Sequence, residues 1–203
     1  MTDIATPYGP ARLHADVPRG KPRSLLVLGH GAGGDVTAVD LVALRDAAVG
    51  ASVAVVRVTQ PYRLAGRRSP APARQLDAAF VAAVAAARAS ARPDCPLVVG
   101  GRSSGARVAC RTAVEVGAVA VVAMAFPLHP PGRPDRSRAG ELPTELPTLV
   151  VNGDRDPFGV PSGGGNVLVR VHPGEGHELR RDPAGAAAEV VAWLRTHGWA
   201  SGE

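Results

Sequence analysis

A Gly-x-Ser-x-Gly pattern, Gly101-Arg102-Ser103-Ser104-Gly105, is the strongest chemical signal in the sequence. It follows the apolar run Leu97–Gly100 and precedes an Ala-rich run, so it joins a predicted strand to a predicted helix. A serine in such a sharp turn is strained and exposed, and small residues on either side let strand and helix approach closely. The pattern therefore predicts Ser103 as a nucleophile. In the alternative interpretation, the turn is merely glycine-rich and Ser103 caps the helix.

A nucleophilic serine needs a base, and the base needs a group that orients it. Asp154 and Asp156 follow a later predicted strand. We favour Asp156 as the acid because it lies further past the strand, whereas Asp154 can simply close a local turn. His172 and His177 follow the next strand. We favour His177 as the base because its glycine-flanked loop gives it room to reach across, whereas His172 abuts the strand end.

Acyl transfer also needs N–H donors for the oxyanion that develops during the reaction. The residue after the nucleophile supplies one donor in this motif, which predicts the N–H of Ser104. The other donor comes from the loop after the first buried strand, where Ala32 lies among glycines that allow close backbone approach. The neighbouring His30 is predicted to act through structural hydrogen bonds rather than as a second base. Our candidate substrate-binding residues are His30, Gly31, Tyr62, Arg63, His129 and Arg133.

Alternating apolar and Ala-rich runs predict the elements that position these residues. We expect a single α/β domain over residues 1–203, with a mostly parallel sheet of about six or seven strands and helices on both faces. The predicted strands are residues 24–28, 52–58, 97–100, 118–124, 148–152 and 166–171, with a possible edge strand at Arg12–Ala15; the predicted helices are residues 35–50, 72–91, 104–116 and 183–197. Residues 126–147 show no convincing helix, and a loop of that length is usually functional or mobile.

Composition excludes several classes of protein. The net charge of +5 invites a nucleic-acid interpretation, but the arginines are dispersed and only seven aromatic residues could stack on bases. No apolar run approaches the roughly 20 residues that span a membrane, and no signal peptide is evident. Two cysteines are too few for a disulfide framework, so we expect a cytoplasmic protein.

The expected partner is a small-molecule substrate, with no cofactor and no metal. His172, His177 and Asp154 match no known metal-ligand spacing. A dinucleotide-binding alternative rests on Gly29-x-Gly31-x-x-Gly34 after a strand, with Arg57 placed to meet the 2′-phosphate of NADP. That interpretation leaves the serine, acid and histidine pattern unexplained.

Six segments of the sequence resemble the α/β-hydrolase superfamily. They are LGHGAGG (Leu28–Gly34), QPYRLAGRRSP (Gln60–Pro70), GGRSSGAR (Gly100–Arg107), FPLHPPGRP (Phe126–Pro134), NGDRDPFG (Asn152–Gly159) and GEGHEL (Gly174–Leu179). Within that superfamily the chain is most similar to the small lidless group related to testis-expressed hydrolase-like proteins and the α/β-hydrolase-like domain of an NSL-complex subunit. The resemblance extends from about Lys21 to His197.

The resemblance implies an α/β-hydrolase fold without a lid domain and chemistry similar to that of dienelactone hydrolase. It also implies Ser103 as nucleophile, Asp156 as acid and His177 as base. The resulting hypothesis is a serine hydrolase that acts on a small ester, thioester or lactone through an acyl-enzyme. An alternative is a non-catalytic interaction module on the same fold, because fold similarity alone does not determine function.

Overall fold

The computed structural model describes residues 1–91 and 94–202 of the chain. Within these ranges, the strands are β1 (Thr2–Ile4), β2 (Ala11–Asp16), β3 (Ser24–Gly29), β4 (Val53–Thr59), β5 (Leu97–Arg102), β6 (Ala120–Met124), β7 (Thr148–Gly153) and β8 (Val167–His172). The α-helices are α1 (Val39–Gly50), α2 (Pro61–Leu64), α3 (Ala73–Ala89), α4 (Ser104–Thr112) and α5 (Pro183–Thr196), and a 3-10 helix covers Ala139–Glu141. None of the described helices is both long enough and apolar enough to cross a membrane.

The eight strands form one sheet in the order β1-β2-β4-β3-β5-β6-β7-β8. Strands β3 to β8 are parallel, whereas β1 and β2 form an antiparallel extension that pairs with β4. The chain runs from β3 outward to β4 and then crosses back to β5 on the other side of β3. The carboxyl ends of β3 and β5 therefore flank a topological switch point, where open α/β sheets bind ligands.

Strands β3 to β7 are buried along nearly their whole length because helices cover both faces of the sheet, whereas β8 at the sheet edge is largely exposed. In β3, Leu25 and Val27 face a core shared with α3 and α4, whereas Leu26 and Leu28 face a core shared with α1 and α5. Phe80 of α3 is fully buried in the first of these cores. The two cores hold the sheet rigidly between helical layers, and so they fix the positions of the strand ends that carry the candidate site.

The structure confirms the predicted fold class, with differences at its margins. The sheet has an eighth strand, Thr2–Ile4, which is short, largely exposed and without an apolar run that could have signalled it. Helix α1 begins at Val39 rather than at residue 35 because the Asp35 carboxylate and carbonyl accept hydrogen bonds from the N–H groups of Thr37 and Ala38 and close a turn there. Residues 126–147 contain only the short 3-10 helix.

Candidate active site

Ser103 lies in the sharp turn that joins β5 to α4. Its backbone has φ 54° and ψ −111°, a conformation that is strained for a residue with a side chain. The Ser103 N–H donates a hydrogen bond of 2.9 Å to the carbonyl of Met124 in β6, which anchors the turn to the neighbouring strand. The Ser103 side chain makes no capping hydrogen bond to α4. The alternative role as a helix cap is therefore excluded, and the hydroxyl is free to face other partners.

Three glycines let the turn around Ser103 (Gly101–Gly105, the elbow) approach the end of β3. A Cβ atom added to Gly105 would collide with the carbonyl of Gly29, and one added to Gly101 would lie 2.5 Å from the same carbonyl oxygen. Real Cβ atoms do not come so close to backbone atoms, so positions 101 and 105 both require glycine. Gly29 belongs to the predicted dinucleotide pattern, but here it packs directly against the elbow helix.

Hydrogen bonds connect Ser103, His177 and Asp156 in a chain. The Ser103 Oγ lies 2.8 Å from His177 Nε2, and His177 Nδ1 lies 2.8 Å from Asp156 Oδ2. Because the carboxylate accepts from Nδ1–H, Nε2 is left to accept the Ser103 hydroxyl proton. The imidazole is therefore oriented as a base toward the strained serine.

The competing acid and base candidates lie elsewhere in the same turns. The exposed Asp154 accepts a hydrogen bond from the Gly174 N–H at 2.8 Å. Asp154 therefore holds the loop that carries His177 (the histidine loop) rather than the imidazole itself. His172 ends strand β8, and its carbonyl accepts from the Asp154 N–H. Asp156 and His177, the favoured candidates, are thus the pair that meets Ser103.

Asp156 is held in place by backbone and amide donors. Its side chain is completely buried, Oδ1 accepts the Phe158 N–H at 2.9 Å, and Oδ2 accepts from Asn152 at 3.3 Å as well as from His177. The Phe158 ring lies against the imidazole, with centroids 4.2 Å apart. These contacts restrict both the carboxylate and the ring to one orientation.

Asn152 is a positioning residue that sequence reasoning missed. It is fully buried at the end of β7, and its amide bonds both backbone groups of Phe126 as well as the Asp156 carboxylate. It therefore ties the turn after β7 that carries Asp154 and Asp156 (the acid turn) to the start of the segment 126–147. The available signal was a lone polar residue at the end of an otherwise apolar strand, since buried polar groups are retained where they are fully bonded.

The loop after β3 is fixed by His30. Its Nε2 accepts the Gln60 N–H at 3.2 Å, and its Nδ1–H donates to the Gly31 carbonyl at 2.8 Å. Burial lowers the pKa of His30, although the hydrogen bond to Gly31 opposes that shift. Both ring nitrogens are thus occupied in the neutral form, which is the predicted structural role rather than a second base.

The backbone of this loop borders the serine. A Cβ atom added to Gly31 would lie 3.6 Å from the Ser103 Cβ, so the loop runs beside the elbow. Ala32 is exposed, and its N–H has no partner within the described part of the chain. Ser104 opens α4, where the first N–H groups have no intrahelical acceptor. The two predicted oxyanion donors are therefore available.

The other predicted binding residues vary in their placement. Tyr62 is buried behind the loop, 5.9 Å from the His30 ring, and burial raises the pKa of its hydroxyl despite a hydrogen bond from the Gly33 backbone. Arg63 donates to the Arg67 carbonyl. The side chain of His129 bonds the Pro130 carbonyl and lies against Gly159 of the acid turn. Arg133 is exposed and pairs with Asp135.

The residues of the dinucleotide alternative have other partners. Arg57 is buried, and its guanidinium donates to the Val36 carbonyl and to Asp16. It therefore cannot meet a 2′-phosphate without breaking these bonds.

Across residues 1–91 and 94–202, no cluster of three histidine, cysteine or acidic side chains is arranged to hold a metal ion. Burial raises the pKa of the Cys110 thiol to about 12, so this core cysteine stays protonated.

Comparison with known proteins gives the family. Residues 22–164 match a family described as an alpha/beta hydrolase domain, whereas curated proteins give no match. A lidless serine hydrolase from Xanthomonas campestris superimposes with a TM-score of 0.79 at 18% identity, covering 100% of this chain and 95% of that chain. Est1E from Butyrivibrio proteoclasticus, solved with ferulic acid bound, gives a TM-score of 0.79 at 16% identity over 97% and 98% of the two chains.

An esterase from Pyrobaculum calidifontis gives a TM-score of 0.72 at 15% identity, covering 98% of this chain and 85% of that chain. At these identities the solved structures show a shared fold. The match to the family, in contrast, covers most of the chain and includes both the elbow and the acid turn. The chain belongs to the alpha/beta hydrolase family.

Proposed function

We propose that this protein is a serine hydrolase that cleaves a small ester, thioester or lactone. The observation that carries the proposal is the hydrogen-bonded chain in which Ser103 Oγ, His177 Nε2, His177 Nδ1 and Asp156 Oδ2 are joined by two contacts of 2.8 Å. The strained backbone of Ser103 supports it, because strain of this kind persists where the surrounding structure holds a residue in a functional position.

The proposed reaction begins when His177 takes the hydroxyl proton as Ser103 Oγ attacks the substrate carbonyl carbon. The N–H groups of Ala32 and Ser104 stabilise the oxyanion of the tetrahedral intermediate. His177 then returns its proton to the departing alcohol or thiol, and an acyl-enzyme remains. A water molecule, deprotonated by His177, hydrolyses that ester and frees Ser103. Asp156 stabilises the imidazolium in both halves of the reaction.

We further propose that the chain belongs to the small lidless group that its sequence motifs resemble. In this proposal the segments 60–70 and 126–147 form the walls of an open site, with Gly31, Arg63, His129 and Arg133 as candidate contacts to substrate. Tyr62 and His30 would act indirectly by supporting the loop that carries Ala32. Phe158 adds an apolar surface beside the base.

A fluorophosphonate probe tests the nucleophile directly because it reacts with activated serines. The wild-type protein should be labelled covalently, whereas Ser103→Ala should not react under the same conditions. Equal labelling of the two proteins would refute the assignment of Ser103. An unlabelled wild type without turnover on short-chain esters, thioesters and lactones would favour an interaction module instead.

Paired aspartate variants test the choice of acid. Asp156→Asn removes the acceptor that orients His177, so kcat should fall by about 10³- to 10⁴-fold. Asp154→Asn is the matched control in the same turn, and its kcat should stay within about threefold of wild type because its carboxylate meets only a backbone N–H. Steady-state kinetics on the best ester substrate measures both values. A larger loss in Asp154→Asn than in Asp156→Asn would reverse the assignment.

A further inference from the structure

Arg102, which lies just before the candidate nucleophile in the Gly-x-Ser-x-Gly motif, contacts three segments that converge on the site. Its side chain is only 13% exposed. Its Nε lies 2.9 Å from Asp40 Oδ2 in α1, and its Nη2 donates to the His177 carbonyl at 3.3 Å. Its Nη1 lies against Gly31, in the loop that carries Ala32. One guanidinium thus joins the first helix, the histidine loop and the loop after β3.

The ion pair with Asp40 fixes the Arg102 guanidinium on its α1 side. Asp40 is fully buried in the first turn of α1, and its other carboxylate oxygen accepts the Leu41 N–H at 2.9 Å. Burial raises the pKa of Asp40, and the charge of Arg102 opposes that shift. A buried carboxylate without a cation would be costly, so Arg102 and Asp40 hold each other in position.

The second contact is with Gly31, in the loop after β3. A Cβ atom added to Gly31 would lie 2.8 Å from Arg102 Nη1, in the space that the guanidinium occupies. A side chain at residue 31 would therefore displace the guanidinium from its present position. In the same way, the hydrogen bond to the His177 carbonyl ties the opposite loop to the same planar group.

We propose that Arg102 is a positioning residue that sets the histidine loop relative to the loop carrying Ala32. The inference rests on the proposed function, since it assigns Arg102 a part in aligning His177 with Ser103 and the oxyanion donors. Arginine suits this role because its planar fork presents donors in several fixed directions, which a lysine ammonium cannot reproduce. A misplacement of about 1 Å at a reacting group can cost about 10²-fold in rate.

The neighbouring cavity makes the role testable by chemical rescue. A cavity of about 350 Å³ is bordered by Arg102, Asp40, Gly34 and Arg180, among other residues. Truncation of Arg102 to alanine would extend this cavity toward the three contacts. Guanidinium ions from solution could then enter and occupy the position of the missing group.

The experiment compares Arg102→Ala and Arg102→Lys with Arg111→Ala. Arg111 is the control because it is also an ion-paired arginine near the elbow, but it binds Asp77 and Glu141 away from His177, so its loss should act on KM rather than on kcat. We expect kcat to fall by about 10- to 100-fold in both Arg102 variants, with KM changed less than threefold. Added guanidinium at tens of millimolar should restore part of kcat in Arg102→Ala and leave Arg111→Ala unchanged.

Two further readouts separate positioning from loss of fold. The imidazole NMR signals of His177 should shift in Arg102→Lys, because the loop carbonyl loses its donor, and should not shift in Arg111→Ala. If Arg102→Ala fails to fold, Arg102→Lys carries the test, since lysine retains a cation for Asp40.

The outcomes also separate this inference from the proposed function. A wild type that fluorophosphonate does not label would refute the proposed function. A labelled wild type whose kcat and His177 signals are unchanged by Arg102→Lys would refute only the role of Arg102. Equal kcat losses in Arg102→Ala and Arg111→Ala, without rescue by guanidinium, would refute it as well.

Discussion

The elbow and the segment 126–147 both border the candidate site, but they are held in different ways. At the elbow, backbone atoms of Gly29, Gly101 and Gly105 touch, and no side chain fits between them. The segment 126–147 has no regular structure beyond its 3-10 helix, and its Glu141 is attached to α4 by ion pairs with Arg107 and Arg111.

Under the proposed function, the elbow fixes the position of the reacting atoms, whereas the segment 126–147 shapes the wall around them. Backbone contacts at the elbow allow no gradual adjustment, because any added atom displaces a strand or a helix. Ion pairs between partly exposed side chains contribute less and can be replaced one at a time. We therefore expect substitutions at the elbow to affect the fold and the chemistry together, and substitutions in the segment to affect mainly substrate binding.

The largest effect is expected from Gly105→Ala. Its methyl group would collide with the Gly29 carbonyl and lie 2.8 Å from the His30 carbonyl, so unfolding free energy should fall by about 3 kcal/mol or more. Urea denaturation measures this change. Gly140→Ala is the control in the segment 126–147, where a Cβ atom would have no neighbour within 4 Å, and its stability should change by less than about 1 kcal/mol. Comparable losses in the two variants would remove the distinction between the regions.

A smaller effect is expected from Glu141→Gln, which weakens the attachment of the segment. Unfolding free energy should fall by about 1–2 kcal/mol, because Arg107 and Arg111 lose a shared carboxylate that is only partly exposed. KM for the best ester should rise more than kcat falls. The exposed Glu145 supplies the control variant Glu145→Gln, which should match wild type in both measurements.

The same variant has an expected pH dependence. Burial alone would raise the pKa of Glu141, but the hydrogen bonds and charges of Arg107 and Arg111 outweigh it and lower the pKa below 4.5. Its contribution to stability is therefore present above about pH 4.5 and is lost as the pH falls through the lower value of the folded protein. The difference between wild type and Glu141→Gln should shrink in acid. A difference that grows in acid would contradict the ion-pair assignment.

The smallest effect concerns His30, which supports the elbow side of the site. Its folded pKa lies below the unfolded value of 6.5, mainly because it is buried, so its stabilising contribution is complete above about pH 6.5 and is lost as the pH falls. Between pH 6.5 and 5.5, wild type should lose more unfolding free energy than His30→Gln, by at most about 1.4 kcal/mol. From pH 7.5 to 8.5 the two curves should run parallel; divergence there instead would show that His30 is not the group responsible.

Residue spacing was enough to predict which side chains meet at the strand ends, where hydrogen bonds join Ser103, His177 and Asp156. The glycines around Ser103 and the order of serine, acid and histidine reflect local geometry at strand ends, which a sequence records directly. Apolar runs likewise predicted the six parallel strands, because strands buried on both faces have few polar residues, although β8 at the sheet edge is largely exposed.

The residues that support the site were not predictable in the same way. Arg102 and Asp40 meet only because α1 folds beside the elbow, and nothing in their spacing along the chain indicates the contact. The attachment of Glu141 to Arg107 is also a tertiary contact within a stretch that has no periodic pattern. Contacts of this kind depend on how elements pack, whereas the motif depends on a single turn.

The tight contact between Gly29 and Gly105 has a consequence for the evolutionary history of such chains. A descendant that abandoned hydrolysis could exchange Ser103 or His177 at little cost to folding, whereas exchanging these glycines would force the strand and the helix apart. Relaxed selection would therefore erase the reactive side chains first and leave the glycine frame behind. In related chains, the frame alone thus records ancestry, and under the proposed function the residues at positions 103, 156 and 177 indicate whether the chemistry has survived.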